Sequence, residues 1–277
     1  AGAYGSLHMY NATNILTDTG GRALTIGDGA GTTGLLVMAD ERALLVGHEG
    51  GTGGGILLGN DGVGTMIVSN GTIYTRGLLL GNDVGARGTV IIQDGQVVVS
   101  TNAVSIGNGN GSWGWMSIDH PDGVLDASPG TNQTAQVGGG DAAGGDGYLY
   151  VSNGLARFIN LSVAQGGFGY MEIGASTVTV AGTLYIPSIL TTADGTGTVV
   201  MASADAVLEA TNALSIGADA NNENVRNAYP RLLLSNGTMR VGEVKLGRRS
   251  NGLMYIGAAT VTVVRIQDFG FNIGQSS

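Results

Sequence analysis

The residues with the most chemical potential sit in one short stretch, Asp119-His120-Pro121-Asp122-Gly123-Val124-Leu125-Asp126. Two carboxylates flanking a glycosidic bond could divide the work of acid and nucleophile or base. Asp122 and Asp126 are four apart, an even spacing that puts both on one face of a strand. The same residues, with Asp119, also read as a solvated turn, because linear spacing brings no second acidic group to face them. Oxygen-rich corners offer different chemistry. Gly59-Asn60-Asp61-Gly62, Gly81-Asn82-Asp83-Val84-Gly85 and Gly144 to Gly147 could supply carboxylate and carbonyl ligands to a calcium ion at one corner. The nine-residue beat of a calcium roll is absent, and ordinary turn chemistry accounts for these residues equally well. His8, His48 and His120 show no zinc-ligand spacing, and without cysteine there is no thiolate site and no disulfide. Trp113, Trp115, Tyr148 and Tyr150 could stack sugars or cap a core. No catalytic residue, bound metal or cofactor is expected.

These groups need a scaffold, and the chain announces one by repetition. Ser69-Asn70-Gly71-Thr72, Ser152-Asn153-Gly154-Leu155 and Ser235-Asn236-Gly237-Thr238 stand 83 residues apart, with apolar runs matching on both sides without a gap. A long self-similar period marks a repeat architecture. Within each unit a shorter beat recurs: a strand ending Ile-Gly, Val-Gly or Leu-Gly, a Gly-rich turn, a second strand, an Asn-Gly or Asp-Gly turn, and a third strand. Nine such turns fall between Asp40 and Ala258, about 27 residues apart. Alternation at period two, as in Gln96-Val97-Val98-Val99 and Thr177-Val178-Thr179-Val180, predicts short strands, and no stretch carries a helical period.

Asn-Gly is also a hairpin signal, but blades and sandwiches return every four strands, whereas here the beat is three. The reading is an all-β, single-stranded parallel β-solenoid of about nine three-strand coils in three 83-residue super-repeats, right-handed as parallel crossovers favour. At ~4.8 Å per coil it would be a rod about 43 Å long. Asn70, Gly71, Asn153, Gly154, Asn236 and Gly237 should be structural turns at one corner, three coils apart. Residues 1–19 are expected outside the register as a donor strand or cap, 20–266 in the solenoid and 267–277 in a tail. Surface excursions are expected at 128–134, 138–147 and 220–230.

Composition narrows the class. With 51 glycines in 277 residues, turns must be many, and 43% hydrophobic residues require a core. Net charge of −9 and a pI near 4.6 exclude a nucleic-acid footprint. No run approaches the ~18–20 apolar residues of a membrane span. A cysteine-free acidic chain opening Ala1-Gly2-Ala3 is compatible with export and a cleaved leader, or with trimming. Charge is polarised: residues 1–150 hold 13 acids and 4 bases, residues 238–277 hold 2 acids and 5 bases. Opposite ends attract, and a contact between unlike faces that does not close builds a filament.

The expectation is therefore a structural subunit of an extracellular or cell-surface filament that polymerises with copies of itself through the ends of the solenoid. The interface residues expected are Tyr4, Leu7, Met9 and Ile15 at the front, and Arg240, Arg248, Arg249, Arg265, Phe269, Phe271 and Ile273 at the rear. The alternative is a surface adhesin that binds glycans or other surfaces along one face. A polysaccharide lyase or hydrolase comes third.

The beat Ile-Gly, Gly-x-Gly, apolar-x-Val, Asn/Asp-Gly, over residues 22–266, resembles bacterial autotransporter passengers and the T5SS/PEP-CTERM-associated repeat family. The resemblance implies an exported surface or matrix β-solenoid. Neither the family's translocating barrel nor its Pro-Glu-Pro sorting signal is visible, so the resemblance carries over no mode of anchoring and favours a released or assembled subunit.

Overall fold

A computed structural model describes residues 2–16, 24–47, 55–129, 133–139, 144–187, 195–217, 229–246, 252–264 and 271–273. Among these residues the chain is all β, with no helix. Every strand pairing is parallel, and the short strands pair with the third one along the chain, or with the second around two long strands. The strands fall into three columns. The first begins Tyr4–Met9, Thr33–Met38, Val63–Val68; the second begins Thr13–Leu16, Leu44–Gly47, Thr72–Thr75; the third begins Leu24–Ile26, Ile56–Leu58, Leu78–Leu80. The third column is a separate ten-stranded sheet. The first two join into one sheet through Asp146–Phe158 and Phe168–Val180, thirteen-residue strands that pass from one column to the next without a break.

Alternation drives the packing. In Arg87–Ile92 every second residue is buried, and parallel register stacks like on like. Met66, Val90, Met116, Leu149, Met171, Val199 and Leu232 form one inward row with no exposed surface. Burying apolar surface is worth about 25 cal/mol per Å², and a row of this kind repeats that gain in each strand. Two of the places that need glycine show why. One is the row Gly64, Gly88, Gly114, Gly147, where the first column passes against the backbone leaving the third; a Cβ on Gly114 would lie 2.1 Å from Gly107 N. The other is the Asn-Gly corner, where Gly71, Gly154 and Gly237 have φ of 87°, 87° and 92°.

The three Asn-Gly corners occupy equivalent places. Gly71 approaches the carbonyls of Asp40 and Ala43, Gly154 those of His120 and Gly123, and Gly237 those of Ser203 and Ala206. Asn70 and Asn236 each accept a hydrogen bond from the following glycine N–H, at 2.8 and 3.0 Å.

The ends differ from the expectation. Tyr4–Met9 and Thr13–Leu16 are in register, pairing with Thr33–Met38 and Leu44–Gly47. Phe271–Ile273 pairs with Val244–Leu246. The segments expected to lie outside the stack therefore contribute strands to it. Of the expected excursions, 130–132, 140–143 and 220–228 lie outside the described residues.

Candidate functional site

The acidic stretch does not form a carboxylate pair. Asp122 lies in the turn that Gly123 closes, before the strand Val124–Ala127 begins, so the alternation does not reach back to it. Asp126, on the strand, meets Arg157 at 3.5 Å and accepts from Ser128 N–H and Oγ–H at 3.0 and 2.6 Å. Asp122 belongs instead with His120, whose Nδ1 accepts the Asp122 backbone N–H at 3.2 Å. The stack adds Asp94 from the neighbouring coil position, 3.7 Å from the same nitrogen, which linear spacing does not reveal. Ligand atoms of Asp94, His120 and Asp122 lie within 4.8 Å of one another. A cation held through His120 Nδ1 would displace the bond that this nitrogen already accepts. Asp119 is exposed, its backbone N–H bonded to Ile92 O.

The Gly/Asp corners are organised by side-chain amides. Asn60 Nδ2 donates to Asp28 Oδ1 at 3.1 Å, Asn82 Nδ2 to Asn60 Oδ1 at 3.0 Å, and Asn108 Nδ2 to Asn82 Oδ1 at 3.3 Å. Ser105 Oγ then donates to Asn108 Oδ1 at 2.9 Å. This ladder runs along the stack, using oxygens that a calcium ion would need. Beside it Asp61 is raised above its ordinary value, first by a hydrogen bond with Asp83, then by burial and by the charges of Asp83 and Asp28.

The most developed surface is aromatic. Three strands of the first column carry the pattern ring-x-ring: Trp113 and Trp115, Tyr148 and Tyr150, Phe168 and Tyr170. The residue between each pair, or just after it, points inward: Met116, Leu149 and Met171 are buried. All six rings therefore share the outer face, half-buried against one another. Register places Trp115, Tyr148 and Tyr170 side by side. Contacts run diagonally: Trp113 to Tyr148 at 6.0 Å, Trp115 to Tyr150 at 5.9 Å, Tyr148 to Phe168 at 5.5 Å and Tyr150 to Tyr170 at 5.7 Å, with planes tilted 43–47°. These separations lie in the range of interacting aromatic pairs, with the planes midway between stacked and edge-to-face.

Polar groups rim the face. Tyr170 Oη–H donates to Glu172 Oε2 at 2.8 Å. Burial, that bond, the Glu172 charge and then Tyr150 push the Tyr170 phenol up to about 12. Burial and then Asp146 raise Tyr148, and burial, Glu172 and then Tyr148 raise Tyr150. Ser117, in register with Tyr150, is buried, and its Oγ has no hydrogen-bond partner. Beside Trp113 a groove of about 500 Å³ is bounded by Gly85, Ala86, Arg87, Gly111, Ser112 and Asp146. Linear reasoning found four of the six rings. Phe168 and Tyr170 carry the same ring-x-ring signal in the sequence.

The residues expected at an assembly interface have mixed positions. Tyr4 and Leu7 are exposed at 66% and 48%, but Met9 is buried in the core and is not a surface residue. Arg240 is exposed and lies 3.4 Å from Glu209. Ile15, Phe271 and Ile273 lie on paired strands, their side chains outside the description; Arg248, Arg249, Arg265 and Phe269 lie outside the described residues altogether. No helix among the described residues is long and apolar enough to cross a membrane. No protein-family model, curated protein or solved structure matches the chain.

Proposed function

We propose that the chain is a β-solenoid of ten three-strand coils, wound with the right hand that parallel crossovers favour, serving as an exported structural subunit that joins end to end with copies of itself. The observation that carries this reading is what happens to the two neighbouring inward rows, one at each extreme of the described stack. Leu36 and Leu234 are 1% and 0% exposed, while their register partners Leu7 and Ile256 are 48% and 46% exposed. Leu253 and Tyr255 on the same last strand are also exposed. Apolar surface of this kind calls for a partner, and among the described residues the strands that bear it are each paired on one side only.

A second copy fits both faces at once. Parallel strand edges are unlike on their two sides, so the front of one copy meets the rear of the next, and such a contact propagates. Stacking Met254 on Leu7 and Ile256 on Met9 continues both inward rows in register. The acidic first half and basic last segment give the encounter a favourable sign.

Sedimentation velocity over a range of concentrations tests the reading. Expected are species that grow with concentration and revert to monomer in the Leu7→Asp and Ile256→Asp variants. A wild-type chain that stays monomeric throughout, or assembly indifferent to both substitutions, contradicts it.

A further inference from the structure

The outward aromatic face has no part in an end-to-end contact, since its three strands lie in the middle of the stack. We infer that this face, with the groove beside Trp113, is a binding site for an uncharged oligosaccharide. Four features on the same surface point there.

The rings come first. A pyranose presents polarised C–H bonds, which the negative face of an aromatic ring attracts. Trp115, Tyr148 and Tyr170 are in register across three strands, roughly 10 Å between the outer two, so the row suits an extended chain rather than a single compact molecule.

Next come the groups that read hydroxyls. A sugar hydroxyl both donates and accepts. Asp146 offers an acceptor and Arg87 a donor, the register partners of Trp113 on the two strands that flank it, and all three line the groove. Its volume of about 500 Å³ lies within the usual range for small-ligand sites. Glu172 and the Tyr170 hydroxyl repeat the pairing of carboxylate and ring at the other edge of the face.

Third, Ser117 Oγ is buried on this face without a partner. A buried hydroxyl left unpaired is costly, and this one lies in the row that holds Tyr150 and Glu172.

Charge then selects within the sugars. Asp146 and Glu172 flank the rings and the chain carries a net −9, so acidic polysaccharides are repelled. A second copy of the chain is the competing occupant, and its signature is a dependence on protein concentration alone.

The chain contains two tryptophans, both on this face, so tryptophan emission reports on the site without a label. Cellohexaose, xylohexaose and maltohexaose are titrated separately into the intact protein, with oligogalacturonate as the anionic control. Expected is a saturable emission change with at least one neutral sugar and none with the acidic one. Affinity falls roughly tenfold in Tyr148→Ala and in Tyr170→Ala, with the circular dichroism spectrum unchanged. Should the alanine variants misfold, Asp146→Asn provides the same test from the groove side, where weakened sugar binding with an intact fold is expected. No emission change with any neutral sugar up to millimolar concentration overturns the inference. So does a preference for oligogalacturonate, or an emission change produced by protein concentration in the absence of sugar. None of these results depends on whether the ends of the molecule associate.

Discussion

Tyr170 donates its hydroxyl to Glu172 across 2.8 Å, two residues along one strand, with the ring of Tyr150 at 5.7 Å. Burial and the neighbouring carboxylate both oppose ionisation of this phenol, and its pKa rises from 10.0 to about 12. A raised folded-state value means that the folded chain holds its proton where the unfolded chain has lost it. The stabilising effect is therefore complete below pH 10 and declines as pH climbs toward 12. Ultraviolet titration of the phenolates should show a late-ionising tyrosine that disappears in Tyr170→Phe and moves down in Glu172→Gln.

The Gly/Asp corner at Asp61 carries a strain of charge. Asp61 sits against Asp83 and near Asp28, and its carboxyl is raised above 3.8. The folded state gains from protonation at Asp61, so stability contributed there is present below 3.8 and is lost as pH rises through the raised value. Asp61→Asn should flatten this part of the pH profile and raise the unfolding midpoint at neutral pH. Thermal unfolding followed across the acid range measures both effects.

The Asn-Gly corner should tolerate no side chain. A Cβ at Gly154 would lie 2.4 Å from Gly123 O and 2.6 Å from His120 O, in a backbone with φ of 87°. Gly154→Ala should cost at least about 2 kcal/mol. Gly5→Ala, with nothing within 4 Å of the added carbon, should stay within about 0.5 kcal/mol of wild type. Chemical denaturation of the two variants side by side separates the local requirement from a general intolerance of substitution.

Phe158 closes the long strand that links two columns, 2% exposed and in register with Ala127 and Val180. Phe158→Ala should destabilise by about 3–5 kcal/mol. Tyr74→Ala, at an exposed outward position, should change stability by no more than about 0.5 kcal/mol. Equal losses from the two would contradict the inward and outward assignment of the rows.

Much of this arrangement is legible in the sequence because like stacks on like. The Asn-Gly turns at Asn70, Asn153 and Asn236 mark one corner, and alternation in Gln96–Val99 or Thr177–Val180 identifies strands. The first turn of the stack escaped notice because its corner lacks a glycine: Asn11 takes positive φ there, at 45°, which asparagine tolerates. In the acidic stretch the solvated-turn reading holds for Asp122, which lies in a turn and not on the strand; the approach of Asp94 is hidden because it comes through the stack. The aromatic face was half-seen for a related reason. From Trp113 to its partner Asp146 the chain runs 33 residues, and from Gly147 to its partner Gly169 only 22. Uneven coil lengths hide a juxtaposition that no constant period can reveal.

Electron microscopy of the purified chain at rising concentration tests end-to-end assembly most directly. The proposed ten coils, at ~4.8 Å each, predict a subunit rise of about 48 Å. Expected are unbranched fibres of uniform width with that axial repeat, absent in Leu7→Asp. Isolated rods of about that length at every concentration, or fibres that persist in Leu7→Asp, would contradict it.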